Sequence, residues 1–115
     1  MASGGPTGAS ATISTHVLDV ERGGPAAGIT VTLFRLAEDG RPIRMTQSIT
    51  DADGRIADLL ERPLQAGDYR LRFDSREDAA FFRSIALDFR ITDTSRSYHV
   101  PLLLAPFSMT AYRGS

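Results

Sequence analysis

The sequence predicts an all-β fold, and three observations carry that prediction. Apolar residues recur at every second position through most of the chain, the period of a strand with one face in a core and the other in water. β-branched and aromatic residues fill those stretches. Turn-forming clusters separate them at short intervals: Gly23-Gly24-Pro25, Glu38-Asp39-Gly40, Asp51-Ala52-Asp53-Gly54 and Gln65-Ala66-Gly67-Asp68. Short strands so spaced argue for an antiparallel sandwich or barrel.

The elements follow in order. Residues 1–11, rich in Gly, Ser and Ala, read as a flexible leader, with neither the basic start nor the apolar stretch of a signal peptide. Residues 12–115 then form one domain. In a strand over 12–19, Ile13, Thr15 and Val17 share one face while Ser14, His16 and Leu18 share the other. In 28–36, Ile29, Val31 and Leu33 alternate with Thr30 and Thr32. A strand over 43–50 leads to the acidic turn and a short strand near 55–58. In 68–73, Tyr69, Leu71 and Phe73 alternate with Arg70 and Arg72. The next segment breaks the pattern. Ser75 followed by Asp78 has the form of a capping box, which predicts one short helix near 75–82. In 84–92, Ile85, Leu87, Phe89 and Ile91 alternate with Ala86, Asp88 and Arg90. In 97–104, Tyr98, Val100, Leu102 and Leu104 face one way and His99, Pro101 and Leu103 the other. A strand over 107–113 brings the count to eight.

Composition excludes several classes of function. The formal net charge of -1, with no charge run, gives no reason to propose nucleic acid or an anionic membrane as partner. No stretch approaches the roughly 18 apolar residues of a transmembrane helix. Absence of cysteine removes disulfides, thiolate nucleophiles and Cys-ligated metals. All basic residues are arginine, so a Schiff-base or P-loop lysine is excluded as well. Cytoplasm is the default compartment, and the Arg-Gly-Ser ending is not the peroxisomal Ser-Lys-Leu address.

Strand parity turns both histidines away from the core, because the more apolar set of each strand packs inward. Leu18, Pro101 and Leu103 accompany them, and an outward face carrying leucine is a candidate subunit interface. The alternative is that Leu103 belongs to a strand buried on both faces, with His99 hydrogen-bonded nearby. With two histidines and no cysteine, a zinc site needs carboxylates or a second subunit. Asp51-Ala52-Asp53-Gly54 begins like a calcium loop but lacks the remaining ligands and the distal glutamate, so it reads as a solvated turn. Arg55, just after it, is by itself a surface arginine or an anion clamp.

Three blocks nevertheless stand together. They are Ser14-Thr15-His16-Val17-Leu18-Asp19 with Gly24-Pro25-Ala26-Ala27-Gly28; Thr50-Asp51-Ala52-Asp53-Gly54-Arg55; and Tyr98-His99-Val100-Pro101-Leu102-Leu103-Leu104 running to Tyr112-Arg113-Gly114-Ser115. In this the chain resembles the transthyretin-like 5-hydroxyisourate hydrolases of urate breakdown, across roughly residues 12 to 115. The resemblance implies a transthyretin-like (prealbumin-like) sandwich of two four-stranded antiparallel sheets with one short helix. It also implies a homotetramer with active sites in a channel at the dimer–dimer interface. By position, His16, Arg55 and His99 match the family's catalytic residues. Tyr112, Arg113, Gly114 and Ser115 match its closing signature, with Arg55 and these four meeting substrate and Ser115 also counted as catalytic. No metal or organic cofactor is implied. Ser97 and Ala105 depart from the family pattern, which often has histidine and serine there.

Two other readings remain beside it. A small-ligand binding protein of the same fold, without catalysis, would be expected to lack the histidine–arginine set and the Tyr-Arg-Gly-Ser ending. A structural or adhesive module would be expected to run on into a linker and to carry plainly polar outward faces.

Overall fold

The computed structural model describes residues 11–114. Of the predicted leader, residues 1–10 lie outside the described residues, and Ala11 packs against the core. Among the described residues nine strands form: β1 (Ile13–Asp19), β2 (Gly24–Pro25), β3 (Thr30–Leu36), β4 (Pro42–Ile49), β5 (Arg55–Ile56), β6 (Gly67–Asp74), β7 (Ser84–Ile91), β8 (Tyr98–Ala105) and β9 (Ser108–Ala111). One sheet runs β2-β1-β8-β9 with β5 also on β1, and the other runs β4-β3-β6-β7. The first is therefore five-stranded, the added strand being the two-residue β2 that pairs Leu18 with Pro25 and Asp19 with Gly24. Its central pair, β1 and β8, is parallel, whereas every other pair is antiparallel.

The core sits between the sheets and contains the predicted inward residues. Ile13 and Val17 from β1, Val31 and Leu33 from β3, and Tyr69, Leu71 and Phe73 from β6 are buried, as is Leu102 of β8. Leu59, Leu60 and Leu64, from the connection after β5, close one side. The three buried threonines, Thr15, Thr32 and Thr50, are each paired, as burial demands. The Thr15 hydroxyl donates to the Val100 carbonyl (2.6 Å), tying the parallel strands together. Thr50 Oγ1 donates to Ala26 O (2.7 Å) and accepts from Ile29 N–H (2.9 Å), which fixes the start of β3.

The helix expected near 75–82 does not form. The β6–β7 ladder extends to Asp74 opposite Ser84, which draws both ends of the segment together. Ser75 then serves the hairpin instead of capping a helix: its N–H donates to Arg83 O (2.9 Å) and its hydroxyl faces the carbonyls of Phe82 and Arg83. Only a single turn remains, closed by Ala79 N–H on Arg76 O (3.0 Å). Arg76 pins the loop to the body by donating to Ala27 O (2.9 Å). Among the described residues no helix is long and apolar enough to cross a membrane.

Candidate active site

The outward face of the first sheet collects the residues singled out in the sequence. Inward packing of Ile13, Thr15 and Val17 forces Ser14, His16 and Leu18 to the other side, where all three are half-buried. On β8, Leu102 is fully buried while His99 and Leu103 are half-buried on the same outer face as His16. Pro101 is buried despite its outward parity. It lies opposite His16 on one side, and on the other its carbonyl accepts from Tyr112 N–H at 3.4 Å. Proline has no N–H to return, so the β8–β9 ladder loosens there and β9 ends at Ala111.

Arg55 reaches this face through its turn. Asp51 Oδ1 accepts the N–H of Asp53 (2.9 Å) and of Arg55 (3.0 Å), and Asp51 O accepts from Gly54 N–H (2.9 Å). The acidic turn is thus held by its own side chain, the usual use of Asp in such loops. Gly54 has φ +74°, and a Cβ there would stand 2.4 Å from Val17 O. Only glycine allows the turn to press onto β1, where Gly54 O accepts from Val17 N–H (2.7 Å). That contact sets Arg55 directly opposite His16.

His99 is held from two sides. In the parallel ladder it lies opposite Ser14, whose Oγ is 2.8 Å from its Nδ1. Beyond β9 the chain bridges back to it: Gly114 N–H donates to His99 O (2.7 Å). The same register sets Tyr112 opposite Pro101 and turns Arg113 to the other side, where its guanidinium stacks over the Tyr98 ring at 5.1 Å. Ser115 lies outside the described residues. Partial burial pushes the His99 imidazole below its ordinary pKa, and the nearby charges of His16 and Arg55 push the same way; only the Ser14 backbone opposes them. His99 therefore favours its neutral form, able to accept a proton.

The structure thus places His16, Arg55, His99, Tyr112 and Gly114 on one face and Arg113 on the opposite one. Ser14 was passed over as a site residue in the sequence, although its parity with His16 put it on this face. Its partner is 85 positions away, beyond the reach of any local pattern.

Comparison with known proteins bears on what this face does. The model of the family described as HIUase/transthyretin matches residues 13–114. A 5-hydroxyisourate hydrolase of Deinococcus radiodurans is 42% identical over 114 residues, covering 90% of this chain and 95% of that enzyme. The solved structure of Klebsiella pneumoniae 5-hydroxyisourate hydrolase superimposes with a TM-score of 0.77 at 35% identity, covering 91% of this chain and 99% of that one. Sea bream transthyretin, in complex with thyroxine, reaches a TM-score of 0.81 at 28% identity, covering 89% of this chain and 93% of its own.

Proposed function

Because the chain belongs to the HIUase/transthyretin family, we propose that it hydrolyses 5-hydroxyisourate to 2-oxo-4-hydroxy-4-carboxy-5-ureidoimidazoline in urate breakdown. The observation that carries this reading is the convergence of His16, Arg55 and His99 on a sheet face that the core does not use.

The chemistry suits those groups. Water oxygen bonds to a ring carbonyl carbon, and a neutral imidazole of the His16/His99 pair takes the proton it releases. The carbonyl oxygen becomes an oxyanion, which the planar donor fork of Arg55 stabilises. The carbon–nitrogen bond then breaks, and the imidazolium returns its proton to the departing ring nitrogen. Tyr112 and Ser115 contact substrate or water, and Arg113 places the terminus by its stacking on Tyr98.

The working assembly is a homotetramer with active sites at the dimer–dimer interface. Leu18 and Leu103, flanking the histidines on the same half-buried face, suit contact with a second chain. The proposed compartment is the cytoplasm, and the proposed hydrolase domain spans residues 12–115.

The test is the decay of 5-hydroxyisourate freshly generated from urate by urate oxidase, with the spontaneous rate subtracted. The expected result is acceleration that scales with protein and survives chelator. No acceleration by folded protein would sink the reading and leave a ligand-binding protein of the same fold.

A further inference from the structure

The imidazole of His99 has two nitrogens, and among the described residues a hydrogen-bond partner stands at one of them. Nδ1 faces Ser14 Oγ at 2.8 Å. On the ring's other side, a Cβ built on Gly114 would stand 2.7 Å from Cδ2 and 3.3 Å from Cγ. Gly114 has no positive φ, so its lack of a side chain answers a steric demand rather than a backbone one. The backbone bond from Gly114 to His99 O, at 2.7 Å, brings the terminal segment close enough to make that demand. The ring is therefore fixed in both position and rotation.

We propose that Ser14 and Gly114 are positioning residues for His99: Ser14 holds the proton on Nδ1, Gly114 makes room for the ring, and Nε2 is left as the nitrogen that takes the proton from water. This rests on the hydrolase reading above. In a neutral imidazole one nitrogen donates and the other accepts, and the partner of one fixes the role of the other. In this assignment Nδ1–H donates to Ser14 Oγ across the 2.8 Å contact, which leaves Nε2 with the free lone pair. When Nε2 accepts a proton, the Nδ1–H bond to Ser14 persists and helps carry the charge. Neither Ser14 nor Gly114 needs to touch substrate.

The charged groups facing His99 are His16 on β1 and Arg55 on β5, and Tyr112, on the segment after β9, shares their face. They are kept constant in the test, which compares Ser14→Ala, Ser14→Thr and Gly114→Ala with the unaltered protein. One readout needs no activity. The imidazole nitrogen shifts of His99, measured by NMR above its pKa, report which nitrogen carries the proton. The unaltered protein and Ser14→Thr are expected to give the Nδ1–H form, and Ser14→Ala a mixture of the two tautomers. In turnover, Ser14→Ala is expected to lower kcat about 3- to 10-fold with KM little changed. The acid limb of its pH–rate profile should move to lower pH, and Ser14→Thr should restore both. Gly114→Ala must push the ring back by several tenths of an ångström, for an expected loss of about tenfold. An Nε2–H form in the unaltered protein would overturn the proposal, as would a Ser14→Ala enzyme with unchanged kcat and acid limb. Failure of the unaltered protein to accelerate 5-hydroxyisourate decay refutes the hydrolase reading instead, and the ring shifts still decide whether Ser14 holds Nδ1.

Discussion

Gly54→Ala offers a sharp test of how the fold delivers Arg55 to His16. Two costs arise. The first is backbone strain, because a non-glycine residue in the left-handed region costs about 1–3 kcal/mol. The second is a collision: the new methyl would stand 2.4 Å from Val17 O, a backbone atom with no freedom to swing aside. Val17 must retreat, and two hydrogen bonds go with it, Ala26 N–H to Val17 O (2.9 Å) and Val17 N–H to Gly54 O (2.7 Å). At about 0.5–1.5 kcal/mol each, their loss adds about 1–3 kcal/mol. Gly40→Ala separates the two costs. Gly40 has φ +85°, much like Gly54, but open space where a Cβ would go, so it carries the strain alone. Urea and thermal unfolding, followed by circular dichroism, should place Gly54→Ala below Gly40→Ala by about 1–3 kcal/mol, roughly 5–20 °C in Tm. Turnover should fall in Gly54→Ala only, since only there is the Arg55–His16 pairing displaced. Equal midpoints for the two variants would refute the claim that the close approach at Val17 requires glycine.

Other consequences are open to direct measurement. His16→Ala and His99→Ala should each lower kcat by about 10²–10⁴-fold with unfolding midpoints little changed; near-normal turnover in both would remove the mechanism. The depressed pKa of His99 has a sign that can be checked. As pH falls, the unfolded chain takes up this proton first, so the contribution of His99 to stability is complete above about pH 6.5 and is lost as pH drops through the lower folded value. The acid limb of kcat/KM should accordingly lie below 6.5, and a limb above it would contradict the burial argument. Thr50→Val preserves shape but strips partners from the Ile29 N–H and Ala26 O groups. It should cost about 1–3 kcal/mol by urea unfolding, and a neutral result would mean that both groups find new partners.

How much of this was legible in the sequence follows from what a period-two pattern encodes. Alternation is local and reports which side of a strand faces the core, so the burial of Ile13, Val17, Leu71 and Leu102 and the outward turn of both histidines could be read directly. The capping pattern at Ser75 was equally local and misled, because the hairpin between β6 and β7 claimed the Ser75 N–H and hydroxyl. Alternation carries no information about which strand lies alongside, or in which direction. The parallel pairing of β1 with β8, the two-residue β2 and the placing of Ser14 against His99 were decided by tertiary structure alone. Pro101 shows the same limit from the other side: its parity points outward, yet its neighbours bury it. The sequence by itself determined the faces of the strands and the residue types available for chemistry. Only the packed sheets decided the neighbours of each, since a hydrogen bond across 85 residues exists only once both strands have joined the same sheet.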